Sequence, residues 1–108
     1  MKRIEIRPRG FDLTDAMRLH IERRAGYGLG RFDNDVLSAQ IRVDDVNGPR
    51  GGVDKRCCIV LRTRCAGSLL VELLDADFYA AVDRAVGRAA RALDRALAKR
   101  RDFRRILK

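Results

Sequence analysis

Arg84, Arg88, Arg91, Arg95 and Lys99 recur at every third or fourth position near the end of this chain. On a helix at about 100° per residue, the last four lie at about 40°, 340°, 20° and 60° from Arg84. They make one stripe about 80° wide that runs for roughly 22 Å. Each turn brings a new cation about every 5–6 Å, close to the separation of successive phosphates along an RNA strand. A guanidinium can hold a phosphate through two parallel hydrogen bonds, and its flat face can stack on an unpaired base. The chemistry on offer is a non-covalent grip on a polyanion. The competing reading is a solvated helix face with Asp83 and Asp94 as pairing partners, but two acids cannot neutralise the row.

The distribution of charge supports the grip. Residues 84–108 hold ten Lys or Arg against Asp94 and Asp102, a net +8, whereas residues 1–83 hold fourteen against thirteen acids, a net +1. A chain near neutral until its last segment, and strongly basic there, points to a polyanionic partner. Because 20 of the 24 basic residues are Arg, a bias that base composition of the coding sequence can produce, placement rather than identity carries the argument.

A smaller group, His20, Arg23, Arg24, Tyr27 and Arg31, follows one flank of an earlier helical segment. Basic residues with an aromatic among them suit backbone contacts plus base stacking. The plainer reading makes His20 a half-buried ring and Tyr27 an edge of the core. Arg100, Arg101, Arg104, Arg105 and Lys108 prolong the positive surface, and Arg100 is counted among the RNA contacts.

Catalysis finds no comparable footing. His20 is the single histidine, and no motif sets a serine or cysteine beside it. There is no glycine-rich phosphate loop, HExxH pair or nucleophile elbow. Asp44 and Asp45 are adjacent on a strand and so face opposite ways. Cys57, Cys58 and Cys65 have neither CxxC nor zinc-site spacing and read as reduced thiols. No cofactor, metal or small-molecule substrate is expected. No apolar run approaches the roughly 18–20 residues of a membrane helix, and the opening Met-Lys-Arg-Ile-Glu is not a signal peptide. The chain reads as cytoplasmic and without a membrane partner.

These residues need a scaffold, and hydrophobic periodicity supplies one. Arg3–Arg7 alternates as a short strand ended by Pro8 and Gly10. Thr14 caps a helix running to about Arg31, with Met17, Ile21 and Ala25 on one face. Gly26, Gly28 and Gly30 each cost up to about 1 kcal/mol within a helix, so its second half either frays or lies close to another backbone. Leu37–Val43 alternates as a second strand. Asn47–Gly52 is a turn, Val53–Thr63 a third strand with Cys57, Ile59 and Leu61 inward, and Ser68–Leu74 a fourth. Asp75 or Asp77 caps a last helix whose stripe of Phe78, Val82, Ala85, Val86, Ala89, Leu93, Ala96 and Leu97 opposes the arginines. The order β-α-β-β-β-α makes an α+β fold, a four-stranded mixed sheet with both helices on one face. Residues 1–108 read as one domain, with the last ~8 residues a basic tail.

With Cys57, Ile59 and Leu61 inward, Cys58, Val60, Leu70 and Leu74 face outward, and an exposed apolar patch can mark a partner surface. Two rival functions follow: a protein-interaction module acting through the outer sheet face, and a general binder of structured RNA.

Several segments together resemble the ribosome hibernation-promoting factor family, which includes ribosome-associated inhibitor A. Asp77-Phe78-Tyr79-Ala80-Ala81-Val82-Asp83 is similar to the family's Asp-Met-Tyr-Ala-Ala-Ile-Asp at the start of its last helix. Leu13-Thr14-Asp15-Ala16 with Arg18, Arg31-Phe32-Asp33, and Ile4-Glu5-Ile6 fit in order, so that the resemblance covers essentially the whole chain. It implies a fold like that of double-stranded-RNA-binding domains. It also implies binding of the small ribosomal subunit and its rRNA near the decoding region, where basic residues of both helices block tRNA and mRNA and silence idle ribosomes. Carried over by position, the contacts are Arg23, Arg24 and Arg31, then Arg84, Arg88, Arg91, Arg95 and Lys99. The chain departs from the family in its three glycines and in Cys57-Cys58. It resembles the short form, without the second domain that pairs ribosomes.

Overall fold

The computed structural model describes residues 3–46 and 53–107; the turn expected at Asn47–Gly52 lies outside them. The elements are β1 (Ile4–Arg9), α1 (Asp15–Leu29), β2 (Val36–Asp45), β3 (Lys55–Thr63), β4 (Ser68–Asp75) and α2 (Phe78–Leu107). The sheet order is β1-β2-β3-β4. β1 and β2 run parallel, and α1 supplies the crossover that a parallel pair requires. The pairs β2–β3 and β3–β4 are antiparallel. The fold is therefore α+β with a mixed sheet, as the periodicity implied.

Alternation along the strands sorts the two sheet faces. Ala39, Ile41, Val43, Cys57, Ile59, Leu61, Val71 and Leu73 are buried on the inner face. Ile21, Ala25 and Leu29 of α1 and Val82, Val86 and Leu93 of α2 join them in one core. On the outer face Leu70 and Leu74 are exposed, while Cys58 and Val60 are half-buried. Register sets Cys58 between Arg42 and Glu72, and Val60 between Gln40 and Leu70. The outer face is thus mixed in character rather than one apolar patch.

Several boundaries differ from the sequence reading, those of the first strand and the first helix for physical reasons. The first strand does not end at Pro8: Pro8 and Arg9 align with Val43 and Asp44, since an edge strand has no need of the missing N–H. Gly10, at φ 84°, makes the reversal that follows. The first helix neither frays nor reaches Arg31. It runs unbroken to Leu29, and Gly30–Phe32 continues as a single 3-10 turn. Gly28 explains its persistence: a Cβ there would run into Cγ1 of Val86, so the missing side chain is what lets α1 close on α2. The third strand starts at Lys55 rather than Val53.

Both helix starts are capped by side chains. Thr14 Oγ1 accepts from Met17 N at 3.1 Å. Of the two candidates at the second start, Asp77 is the cap, its Oδ2 accepting from Ala80 N at 3.1 Å. Asp75 Oδ1 instead accepts from Asp77 N at 3.0 Å. At 30 residues, α2 is about 45 Å long and outruns the sheet beneath it, in a molecule 56 × 24 × 17 Å. Leu93 is its last fully buried residue, and Lys99–Leu107 is exposed throughout.

Candidate nucleic-acid interface

Alanine and arginine are strong helix formers, so α2 holds its shape while small Ala and Val side chains bury its inner stripe. The outer stripe stands clear of the body: Arg84, Arg88, Arg91, Arg95 and Lys99 are all exposed. Arg84 Nη1 donates to Asp75 Oδ2 at 3.0 Å. Among the described residues, Arg88, Arg91, Arg95 and Lys99 have no carboxylate within ion-pair distance. Four cations on three turns of helix, with solvent in front of them, are free to take anions.

The two acids that might have quenched the row are engaged elsewhere. Asp83 Oδ1 meets His20 Nε2 at 2.7 Å and lies 3.1 Å from Arg24 Nε. That second contact is an ion pair without the alignment of a hydrogen bond. Asp94 takes both arms of the Arg31 guanidinium, at 2.9 and 2.7 Å. This bidentate grip holds the Asp94 carboxyl below its usual range. Asp75 is likewise lowered, first by the Asp77 backbone N–H and then by Arg84. Both the His20–Asp83 and Arg31–Asp94 pairs join residues 63 apart in sequence. A constant offset over eleven residues means that α1 and α2 lie side by side and run in the same direction.

The α1 group therefore divides. His20, Arg24 and Arg31 fasten α1 to α2, and His20 also meets the Tyr79 ring edge-on at 4.9 Å. Arg23 is exposed without an ion pair among the described residues. Tyr27, at 88% exposure, stands wholly outside the core, against the plainer reading that made it a core edge. One groove of about 360 Å³ does bring the helices together at the surface, lined by Arg24 of α1 and by Arg84, Arg88 and Arg91 of α2. Arg100 belongs to a different place, a cleft of about 950 Å³ under the overhanging end of α2. Arg101, Arg104 and Arg105 line it as well. Their spacing in sequence marks a second basic face of the helix, but only the end point of the sheet beneath shows that it borders a cavity.

The thiols of Cys57 and Cys58 are not activated in this environment. Cys57 is buried, and burial pushes its thiol up to about 12, which leaves it inert as a nucleophile. Burial, followed by the nearby Glu72 carboxylate, also raises the Cys58 thiol. Among the described residues no group of His, Cys, Asp and Glu is placed to hold a metal, and no helix is long and apolar enough to cross a membrane.

A family model described as sigma 54 modulation protein / S30EA ribosomal protein matches residues 4–101. The chain belongs to this family. Two solved structures share its architecture. The Protein Y N-terminal domain of Thermus thermophilus is 29% identical, with a TM-score of 0.72 over 88% of this chain and 98% of that one. A ribosomal subunit interface protein from Coxiella burnetii superposes with a TM-score of 0.77 at 16% identity, over 89% of this chain and 98% of that one. No curated protein sequence is significantly similar to the chain. Family membership accounts for the order of elements.

Proposed function

We propose that residues 1–108 act as a single ribosome-binding domain that inhibits translation without catalysis. It binds the small ribosomal subunit through rRNA and fills space that tRNA and mRNA would otherwise occupy. The observation that carries this reading is the row Arg88, Arg91, Arg95 and Lys99, exposed and unpaired among the described residues, in a chain of a family described in part as ribosomal protein. A stiff helix backed by a sheet presents these charges with little to reorganise, so most of each phosphate contact survives as binding energy. Arg23, Arg24 and Tyr27 add contacts from α1, and His20 and Arg31 keep α1 aligned beside the row. The mechanism is occupancy: a bound domain excludes the substrates of the site.

Co-sedimentation with purified small subunits at graded salt tests it. If six phosphates are engaged, log K falls against log salt with a slope of about −4 to −5. Reversing Arg88→Glu and Arg91→Glu on the exposed face leaves the domain folded and abolishes co-sedimentation. A flat salt response, or full binding by the folded double variant, refutes the assignment.

A further inference from the structure

The end of α2 carries a second group of cations on the side away from the row. From Arg84, Arg100, Arg104, Arg101 and Arg105 lie about 160°, 200°, 260° and 300° around the helix. This arc includes the direction that faces the core farther back. Past Leu93 the core ends, so the same direction opens onto a cleft of about 950 Å³. Its far wall is the 3-10 turn with Arg31 and Phe32, and the β3–β4 turn with Cys65. That wall is firmly built. Arg64 N donates to Asp35 O at 2.8 Å, and Asp35 N to Phe32 O at 2.8 Å. Arg64 Nε donates to Asn34 O at 3.1 Å, and Ala66 N to Thr63 Oγ1 at 2.8 Å.

The electrostatic balance of the cleft is positive. Arg31 and Asp94 cancel each other. Arg100, Arg101, Arg104 and Arg105 make no ion pair among the described residues, and the one remaining acid in the lining is Asp35. We propose that this cleft is a second phosphate site, occupied by a stretch of RNA backbone separate from the one along the Arg88–Lys99 row. The end of α2 then sits between two strands instead of lying on one. A helix with its side chains is about 10–12 Å across, so the partner must offer two backbones flanking a gap of that width. The cleft suits phosphates better than a whole nucleotide. Its one aromatic ring, Phe32, is buried, and the Arg31 guanidinium sits 4.2 Å over the ring centroid, which leaves a base no face to stack on. This inference rests on the ribosomal reading above and adds a second contact to it.

Cys65 lines the cleft and reports on it without any engineering. The experiment measures alkylation of each cysteine by iodoacetamide, mapped by mass spectrometry, in the free protein and in its complex with small ribosomal subunits. Cys65 should lose its reactivity in the complex, while buried Cys57 stays unreactive in both states. The variant Arg101→Ala/Arg104→Ala should restore Cys65 reactivity in the complex and flatten the salt slope by about 1.5. Inorganic tripolyphosphate at matched ionic strength should leave Cys65 reactive; protection by tripolyphosphate but not by subunits would assign the cleft to a free polyphosphate and overturn the RNA occupant. If Cys65 reacts equally in the complex and free, while Arg88→Glu/Arg91→Glu still abolishes binding, the cleft proposal fails and the ribosomal reading stands. If the wild-type chain does not bind subunits at all, both fall.

Discussion

Gly26→Ala and Gly28→Ala introduce the same methyl group into the same helix two residues apart, and they should change stability in different ways. At Gly26 an added Cβ meets nothing within 4 Å, so the variant gains helix propensity, up to about 1 kcal/mol. At Gly28 the Cβ overlaps Cγ1 of Val86, which is itself fully buried, so one of the two helices must shift. Overpacking of this kind costs about 1–3 kcal/mol. The propensity gain is common to both sites and cancels in the comparison, so the difference between the variants isolates the steric cost. At about 4 °C per kcal/mol for a domain of this size, the two melting temperatures should differ by about 4–12 °C, with Gly28→Ala the lower. Thermal unfolding followed by circular dichroism reads this directly. Adding Val86→Ala to Gly28→Ala should recover part of the loss, giving a coupling energy between the two sites. Equal shifts for the two single variants, or strict additivity with Val86→Ala, would refute the claim that glycine is required where the helices meet.

Three further outcomes follow from the interfaces between elements. Asp77→Ala removes the side-chain cap of α2 and should lower stability by about 1 kcal/mol, measured by urea unfolding. Tyr27→Ala should leave the unfolding midpoint unchanged, because the ring is exposed, yet weaken subunit binding by about 1–3 kcal/mol if the ring stacks on a base; unchanged affinity removes Tyr27 from the interface. The lowered pKa of Asp94 means that its pairing with Arg31 contributes stability above the ordinary aspartate pKa and loses it as pH falls through the depressed value. The stability difference between wild type and Asp94→Ala should therefore be present at neutral pH and vanish in strong acid, and a difference independent of pH would show that the pair is not its source.

Much of this was legible in the residues because two periods separate cleanly. Leu37–Val43 and Cys57–Leu61 alternate with period two, so strand faces follow from the sequence alone. The α2 row follows from spacings of three and four on a segment rich in alanine. What was not legible depends on pieces far apart in sequence meeting. The glycines pointed to fraying or to a close approach, and local propensity could not choose between them because it knows nothing of Val86. Pro8 looked like a stop because its edge position was not given. His20, Arg24 and Arg31 looked like RNA contacts on one flank because nothing local shows that α1 turns them toward Asp83 and Asp94. The cleft under Arg101 and Arg104 appears only once the sheet's end point relative to α2 is known.

The parallel course of the two helices has an electrical consequence. Their macrodipoles add rather than cancel, with positive poles where the helices begin and negative poles where they end, so the arginines gathered toward the end of α2 oppose this dipole and outweigh it. From Cys65 to Asp83 the sequence has no Lys or Arg but carries Glu72, Asp75, Asp77 and Asp83, at the end where α2 begins, while its arginines accumulate at the other. In the field of a polyanion such a molecule experiences a torque as well as an attraction. It swings its arginine-bearing tip forward before contact, so that the orientation of the encounter is selected while the partners are still a Debye length apart.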